Sequence, residues 1–99
     1  MKQPDECTSL QEVRDAIDII DRQVIALLGQ RYQFVKAAAR FKNSASHVKA
    51  PERVQAMLQT RRTWAEAEGL PPDLVEKLYA DMVDYFTSEE LKHWQAEQG

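Results

Sequence analysis

The sequence lacks the residues that build disulfide-linked, metal-bound or phosphate-binding scaffolds. Its single cysteine, Cys7, excludes a disulfide within the chain. Its two histidines, His47 and His93, lie far apart, and no metal-ligand spacing is present. There are three glycines and no glycine-rich phosphate loop or nucleophile elbow. We therefore expect neither a metal site nor a cofactor.

Long apolar runs and excess positive charge are also missing. With 13 basic and 16 acidic residues the net charge is −3, which argues against nucleic acid as the main partner. The long apolar segment described next carries several charges, which excludes a membrane span. No secretory signal opens the chain, and one cysteine suits a reducing compartment, so we expect a cytoplasmic protein.

One long segment, from Leu10 to Lys42, dominates the sequence. Its apolar residues recur at alternating spacings of three and four, which predicts an amphipathic helix over about residues 9–42. They are Leu10, Val13, Ile17, Ile20, Val24, Leu27, Phe34, Ala38 and Phe41. Such a helix is about 50 Å long, more than a compact monomer of this size can cover. A second copy of the chain is therefore expected to bury the apolar stripe.

Arg31 interrupts this apolar stripe, and a buried guanidinium needs an anion beside it. On an ideal helix, Arg31 and Lys42 lie within about 20° of each other and about 16 Å apart, so they could hold a small dianion. Arg14 lies about 25 Å before Arg31, too far to join them within one chain. An antiparallel second copy, with its two-fold axis near Ile25, would supply it. The spacing thus predicts a dianion site shared across a dimer.

The rest of the chain predicts two further helices. Residues 43–50 are small and polar without a period, typical of a loop that is either a lid beside Lys42 or a plain connector. Pro51 suits the first turn of a helix over about 51–68, and Gly69 suits its end. A proline-containing turn then begins a helix over about 72–96. With no strand signal, the chain is predicted to be all-α.

Glu90 interrupts an apolar row on the last predicted helix. Steps of four residues give Leu78, Met82, Phe86, Glu90 and Trp94. Because each four-residue step drifts by about 40°, Glu90 could face water near the helix end. Alternatively, it is a second polar group on a buried face, as Arg31 is on the first helix.

These features resemble a known family. The long first helix with Arg14, Arg31 and Lys42 is similar to the AroQ-type chorismate mutase fold, an intertwined all-helical homodimer. The segments CTSLQEVRDAID, AAARFK, APERVQAML and WAEAEGL more closely resemble the bacterial isochorismate-pyruvate lyases of siderophore salicylate biosynthesis. The resemblance covers essentially the whole chain, as one domain over residues 1–99.

The resemblance implies roles for four side chains. Arg14 of the partner chain and Arg31 would bind substrate carboxylates. Lys42 would bind the ether oxygen and a carboxylate, and Glu90 would hydrogen-bond the other side of the ether. Arg53 is a further candidate for a carboxylate contact, or else a surface arginine.

Two apolar residues of the first helix complete the candidate site. Val35 and Ala38 lie between Arg31 and Lys42 and either line the pocket or belong to the core.

The implied reaction is a pericyclic elimination of pyruvate from isochorismate that leaves salicylate, with weak chorismate mutase activity beside it. It needs no general base or covalent nucleophile. Chorismate mutase as the main activity is the alternative, because the lyases usually carry glutamine where this chain has Glu90, and some mutases of this fold carry glutamate. A non-catalytic helical dimerisation module is the third hypothesis.

Overall fold

Helices make up most of the chain. The computed structural model describes the backbone of residues 2–98 and the side chains of residues 2–96. The α-helices in this part are α1 (Leu10–Ala38), α2 (Ala45–Lys49), α3 (Pro51–Ala67) and α4 (Pro72–Gln98), with 3₁₀ turns at Pro4–Glu6 and Ala39–Phe41. The described residues contain no strand. The prediction of an all-α protein with a long first helix is confirmed.

The helices belong to two units, the first ending at Ala38 and the second beginning at Ala39. The first unit is essentially α1 and the short arm before it, and the second contains α2, α3 and α4. None of the helices in the described residues combines the length and apolarity needed to cross a membrane. The assignment of residues 1–99 to one domain stays a prediction.

The start of α1 is fixed by local hydrogen bonds. Ser9 Oγ accepts a hydrogen bond from the backbone N–H of Glu12 at 3.1 Å. The Glu12 carboxylate in turn accepts one from the Thr8 N–H at 3.0 Å and pairs with Lys2 at 3.2 Å. The Thr8 N–H, and after it the Lys2 ammonium, lower the pKa of Glu12 below its ordinary value. The predicted start at about residue 9 agrees with the structure, in which Ser9 caps the helix that begins at Leu10.

The apolar stripe of α1 is uncovered in the single chain. No residue of this helix is buried. The six stripe residues before Arg31 are 38–62% exposed: Leu10, Val13, Ile17, Ile20, Val24 and Leu27. Contiguous apolar surface of this kind marks an interaction site.

The predicted end of the first helix, at Lys42, is wrong. The α-helix ends at Ala38, and a 3₁₀ turn follows in which the Lys42 N–H donates to Ala39 O at 3.2 Å. Ser44 then adopts an extended conformation to cap α2, so the chain has to leave the helical path before it. The estimates of 20°, 16 Å and a two-fold axis near Ile25 assumed an unbroken helix through Lys42, and they no longer apply.

The segment 43–50 is not a plain loop. It contains α2, whose N-terminus is capped by Ser44 Oγ accepting from the His47 N–H at 3.0 Å. Val48 of this helix is buried, and α2 packs against α4. Five residues are too few to show a helical period, so the sequence pattern missed this element.

In the second unit, α3 and α4 form a helical hairpin with Met57 and Ala65 buried in it. Gly69 has φ +72°, and the Leu70 N–H donates to Ala65 O at 2.8 Å, so the turn closes as a Schellman motif. Pro51 and Pro72 occupy the first positions of α3 and α4. The predicted helices, 51–68 and 72–96, agree with the observed bounds to within two residues.

Candidate active site

The second unit brings together two of the predicted site residues that lie 48 positions apart. Lys42 Nζ donates a hydrogen bond to Glu90 Oε2 at 2.8 Å. The Lys42 side chain is 21% exposed and that of Glu90 is 12% exposed. The two charges compensate each other's loss of hydration, and either one alone at this burial would be destabilising.

Glu90 does not face open water near the end of α4. Its side chain is mostly covered, and the neighbours in its row, Phe86 and Trp94, are half-buried. Phe86 also makes an edge-to-face ring contact with Tyr85, with centroids 5.4 Å apart. The interpretation of Glu90 as a solvated helix-end residue is therefore wrong, and the one that placed it on a covered face is correct.

The pair offers hydrogen-bond donors to a ligand. A lysine ammonium has three N–H donors, and the contact with Glu90 uses one. A neutral Glu90 would also donate one hydrogen bond, whereas an ionised Glu90 only accepts. Chemically, this arrangement suits recognition of ether or carboxylate oxygens more than proton abstraction.

The remaining predicted site residues are distributed over both units. Arg14, Arg31, Val35 and Ala38 lie on α1 in the first unit, where Arg31 and Val35 are half-buried and the other two are exposed. Arg53 is exposed in the first turn of α3. The structure thus joins Lys42 to Glu90, and the assembly of the other five around this pair stays a prediction.

Arg61 makes a contact that the apolar pattern of α3 did not indicate. Its guanidinium lies over the rings of Trp64 at 4.6 Å and Tyr79 at 5.6 Å, which links α3 to α4. Its Nε is buried without a hydrogen-bond partner among the described residues. This cation supports the hairpin, and nothing in its surroundings indicates a ligand.

An open groove of about 520 Å³ lies on the same unit. It is lined by Lys49 of α2, by three residues of α3 and by five of α4: Pro51, Val54 and Gln55, and Val83, Asp84, Thr87, Ser88 and Leu91. Its lining mixes apolar and polar side chains without a cluster of one charge. In the part of the chain that the structure describes, no group of three His, Cys, Asp or Glu side chains could hold a metal ion.

Comparison with known proteins identifies the family. Residues 13–91 match the model of chorismate mutase type II. The chain belongs to the chorismate mutase type II family. The match includes Arg14, Arg31, Lys42 and Glu90, so the candidate residues of this family member all lie within the matched region.

The relatives of this chorismate mutase family member differ in length. It is 46% identical over 99 residues to the isochorismate pyruvate lyase of Pseudomonas aeruginosa strain PAO1, covering the whole of this chain and 98% of the relative. It is 39% identical over 85 residues to the T-protein of Enterobacter agglomerans, covering 84% of this chain and 23% of the relative. The T-protein of Haemophilus influenzae is 39% identical over 69 residues, with coverages of 69% and 18%.

The lyase is thus a full-length homologue, whereas the T-proteins match over a part of their length. The resemblance read from the sequence segments is confirmed.

The ion pair should contribute measurably to stability. We expect a double-mutant cycle with Lys42→Met and Glu90→Gln to give a coupling energy on the order of 1–2 kcal/mol, because each single change leaves a mostly covered partner unpaired. Urea unfolding at one fixed protein concentration measures it.

The matched control is Lys77 with Asp81, which has the same 2.8 Å separation but side chains 74% and 65% exposed. Water screens that pair, so its coupling should be smaller. An equal or smaller coupling for Lys42 with Glu90 would contradict the burial argument.

Proposed function

We propose that this protein is an isochorismate-pyruvate lyase that supplies salicylate, as in siderophore biosynthesis. The observation that carries the proposal is the 46% identity, over the full length of the chain, to an isochorismate pyruvate lyase. In the reaction, the C–O bond between the ring and the enolpyruvyl group breaks, and a ring hydrogen moves to the methylene carbon of that group. The products, salicylate and pyruvate, together contain every atom of isochorismate.

The proposed site surrounds the breaking C–O bond with charge. Lys42 binds the ether oxygen and a carboxylate, and Glu90 contacts the ether from the other side. Arg31 and the Arg14 of a second copy bind the carboxylates, with Arg53 as a further contact. Val35 and Ala38 line the pocket.

The contact between Lys42 and Glu90 supports this assignment. In the proposed site both groups have to lie within hydrogen-bond distance of the same ether oxygen, so they must be close to each other.

For this reaction the protein contributes substrate positioning and electrostatic stabilisation. A pericyclic elimination moves its hydrogen within the substrate, so it requires no general base. The enzyme contributes by holding a compact near-attack conformer. An ammonium donor at the ether oxygen stabilises negative charge as the C–O bond breaks. Lys42 is the residue expected to contribute most to that stabilisation.

A homodimer is part of the proposal. The uncovered apolar stripe of α1 needs a partner surface, and the same helix in a second copy supplies a matching one. In an antiparallel pair, the N-terminal turns of one α1 meet the later turns of the other. Arg14 of one copy then approaches Arg31 of its partner.

Chorismate mutase as the main activity is the second candidate. The observation that favours it is Glu90, a carboxylate where the lyases usually carry an amide. The two substrates differ in the position of a ring substituent, and the same cations serve either one. The non-catalytic module is no longer a candidate, because the full-length homologue is an enzyme.

A paired assay distinguishes the two substrates. We expect purified protein to form salicylate from isochorismate, followed by fluorescence, with a much higher kcat/KM than it forms prephenate from chorismate. As a control for site-dependent turnover, Arg31→Ala should abolish activity in a protein that stays folded by circular dichroism. A higher kcat/KM with chorismate would overturn the lyase assignment.

Substitution of Glu90 tests what this side chain does at the ether oxygen. We expect Glu90→Gln to raise kcat/KM with isochorismate, since an amide can donate a hydrogen bond to that oxygen, whereas an ionised carboxylate only accepts and repels the substrate carboxylates. The salicylate assay described above measures the change.

The control for this experiment is Glu89→Gln, the same change at the exposed neighbouring position, which should keep the wild-type kcat/KM. A lower kcat/KM in Glu90→Gln would contradict this expectation and show that the reaction needs the carboxylate itself.

Subunit complementation tests the shared site. Arg14→Ala and Lys42→Ala should each keep only a small residual turnover as homodimers. Heterodimers of the two, purified through different tags, should regain about half of wild-type turnover, because one of their two sites is intact when Arg14 acts across the interface. Heterodimers of Lys42→Ala with Glu90→Ala have no intact site and should stay at a small residual turnover. No recovery in the first heterodimer would show that Arg14 does not act on the partner's site.

A further inference from the structure

The five-residue helix α2 is held in place by one side chain. A helix this short is not stable by itself in water and forms only when packing supports it. Val48 supplies that packing, since its side chain is 4% exposed and α2 lies against α4. The other residues of α2 are half-buried or exposed. Whether α2 is formed therefore depends mainly on whether Val48 is docked.

The C-terminal end of α2 is conformationally strained. Ala50 has φ 38° and ψ 59°, in the left-handed region that costs free energy for a residue with a Cβ. It also precedes Pro51, and the proline ring restricts the preceding backbone further. The Ala50 N–H nevertheless donates to Ser46 O at 2.9 Å and completes the turn. Docking of α2 has to offset the cost of this conformation.

The docked helix lies next to Lys42 in the chain. Asn43 alone separates Lys42 from Ser44, the N-cap of α2. On its other side, the Lys42 N–H bonds back to Ala39 O at 3.2 Å. Lys42 therefore lies directly between the 3₁₀ turn at Ala39–Phe41 and α2. A displacement of α2 would move the Lys42 backbone.

The helix α4 contacts both α2 and the Lys42 side chain. α4 packs against α2, and it also carries Glu90, which holds the Lys42 ammonium at 2.8 Å. Lys49, the last residue of α2, also lines one groove with Val83, Asp84, Thr87, Ser88 and Leu91 of α4. Docking of α2 and the approach of Lys42 to Glu90 thus both involve α4.

We propose that Val48 and Ala50 are positioning residues, and that the docking of α2 on α4 sets the place of the Lys42 ammonium. The inference rests on the proposed function, in which Lys42 stabilises the charge at the breaking C–O bond. Val48 acts through its burial against α4, and Ala50 acts by closing the turn into α3. A looser α2 keeps Lys42 in the chain but reduces the time its ammonium spends at the ether oxygen.

Amide hydrogen exchange on the ligand-free, full-length protein tests the docking. Val48→Ala should speed exchange of the Val48 and Ala50 N–H groups by about tenfold, with little change in α3 and the first turns of α4. Ala50→Val should do the same, because a β-branched residue tolerates the left-handed region poorly, whereas Ala50→Gly should not. Val48→Ile keeps the apolar anchor and Ser46→Ala is a change at an exposed position of α2, so both should behave as wild type.

A kinetic double-mutant cycle tests the positioning of Lys42. Val48→Ala should lower kcat by about tenfold with a smaller change in KM, in line with the loss of a transition-state contact. In a Lys42→Ala background, Val48→Ala should lower kcat no further, because the group that it positions is gone. Losses that multiply in the double variant would overturn the positioning role, and so would unchanged exchange at residues 44–50 in Val48→Ala.

Different results would overturn the proposed function and the positioning role of Val48 and Ala50. If the wild-type protein turns over neither isochorismate nor chorismate, the proposed function and the positioning role both fail. If it turns over isochorismate and the losses multiply, the function stands and this inference fails.

Discussion

The ion pair between Lys42 and Glu90 is the interaction on which the place of the Lys42 ammonium in the second unit depends. It joins the segment that follows α1 to the last helix, and both charges are mostly removed from water. A covered ammonium without its carboxylate, or the reverse, is costly, so the contact stabilises the two segments in their relative positions. The contact therefore links folding of the connecting segment to the placement of the one cation that the proposed chemistry needs most.

Elements with local signals were predicted well. Pro51, Gly69 and Pro72 mark helix ends through their own backbone preferences, and α3 and α4 begin and end within two residues of the predicted bounds. The end of α1 and the existence of α2 were not predicted, because they depend on packing. The cap at Ser44 is local, because its Oγ accepts from the His47 N–H, but it caps a helix whose packing partner, α4, is distant in sequence. No periodicity over five residues reveals the burial of Val48.

The candidate site also has parts that local sequence patterns predict and parts that depend on packing. Periodicity placed Glu90 in a row of apolar residues but left open whether it faced water, since a helical pattern defines a face and not the neighbour that covers it. The contact with Lys42 decides that question. For Arg14 and Arg31, the sequence gives their positions along α1, whereas their distance from Lys42 depends on a second unit and a second chain. Their roles stay predictions for that reason.

A carboxylate at position 90 has two opposing effects on the proposed reaction. It holds the Lys42 ammonium near the substrate site before any ligand arrives, which reduces the ordering that binding has to supply. It also takes up one of the ammonium's donors and, when ionised, repels a dianionic substrate. A glutamine at this position would leave the full charge of Lys42 available but would hold it less firmly. A chain with glutamine at this position would therefore depend more on backbone anchors such as α2. Because Val48 is buried here as well, this protein holds its cation from both sides.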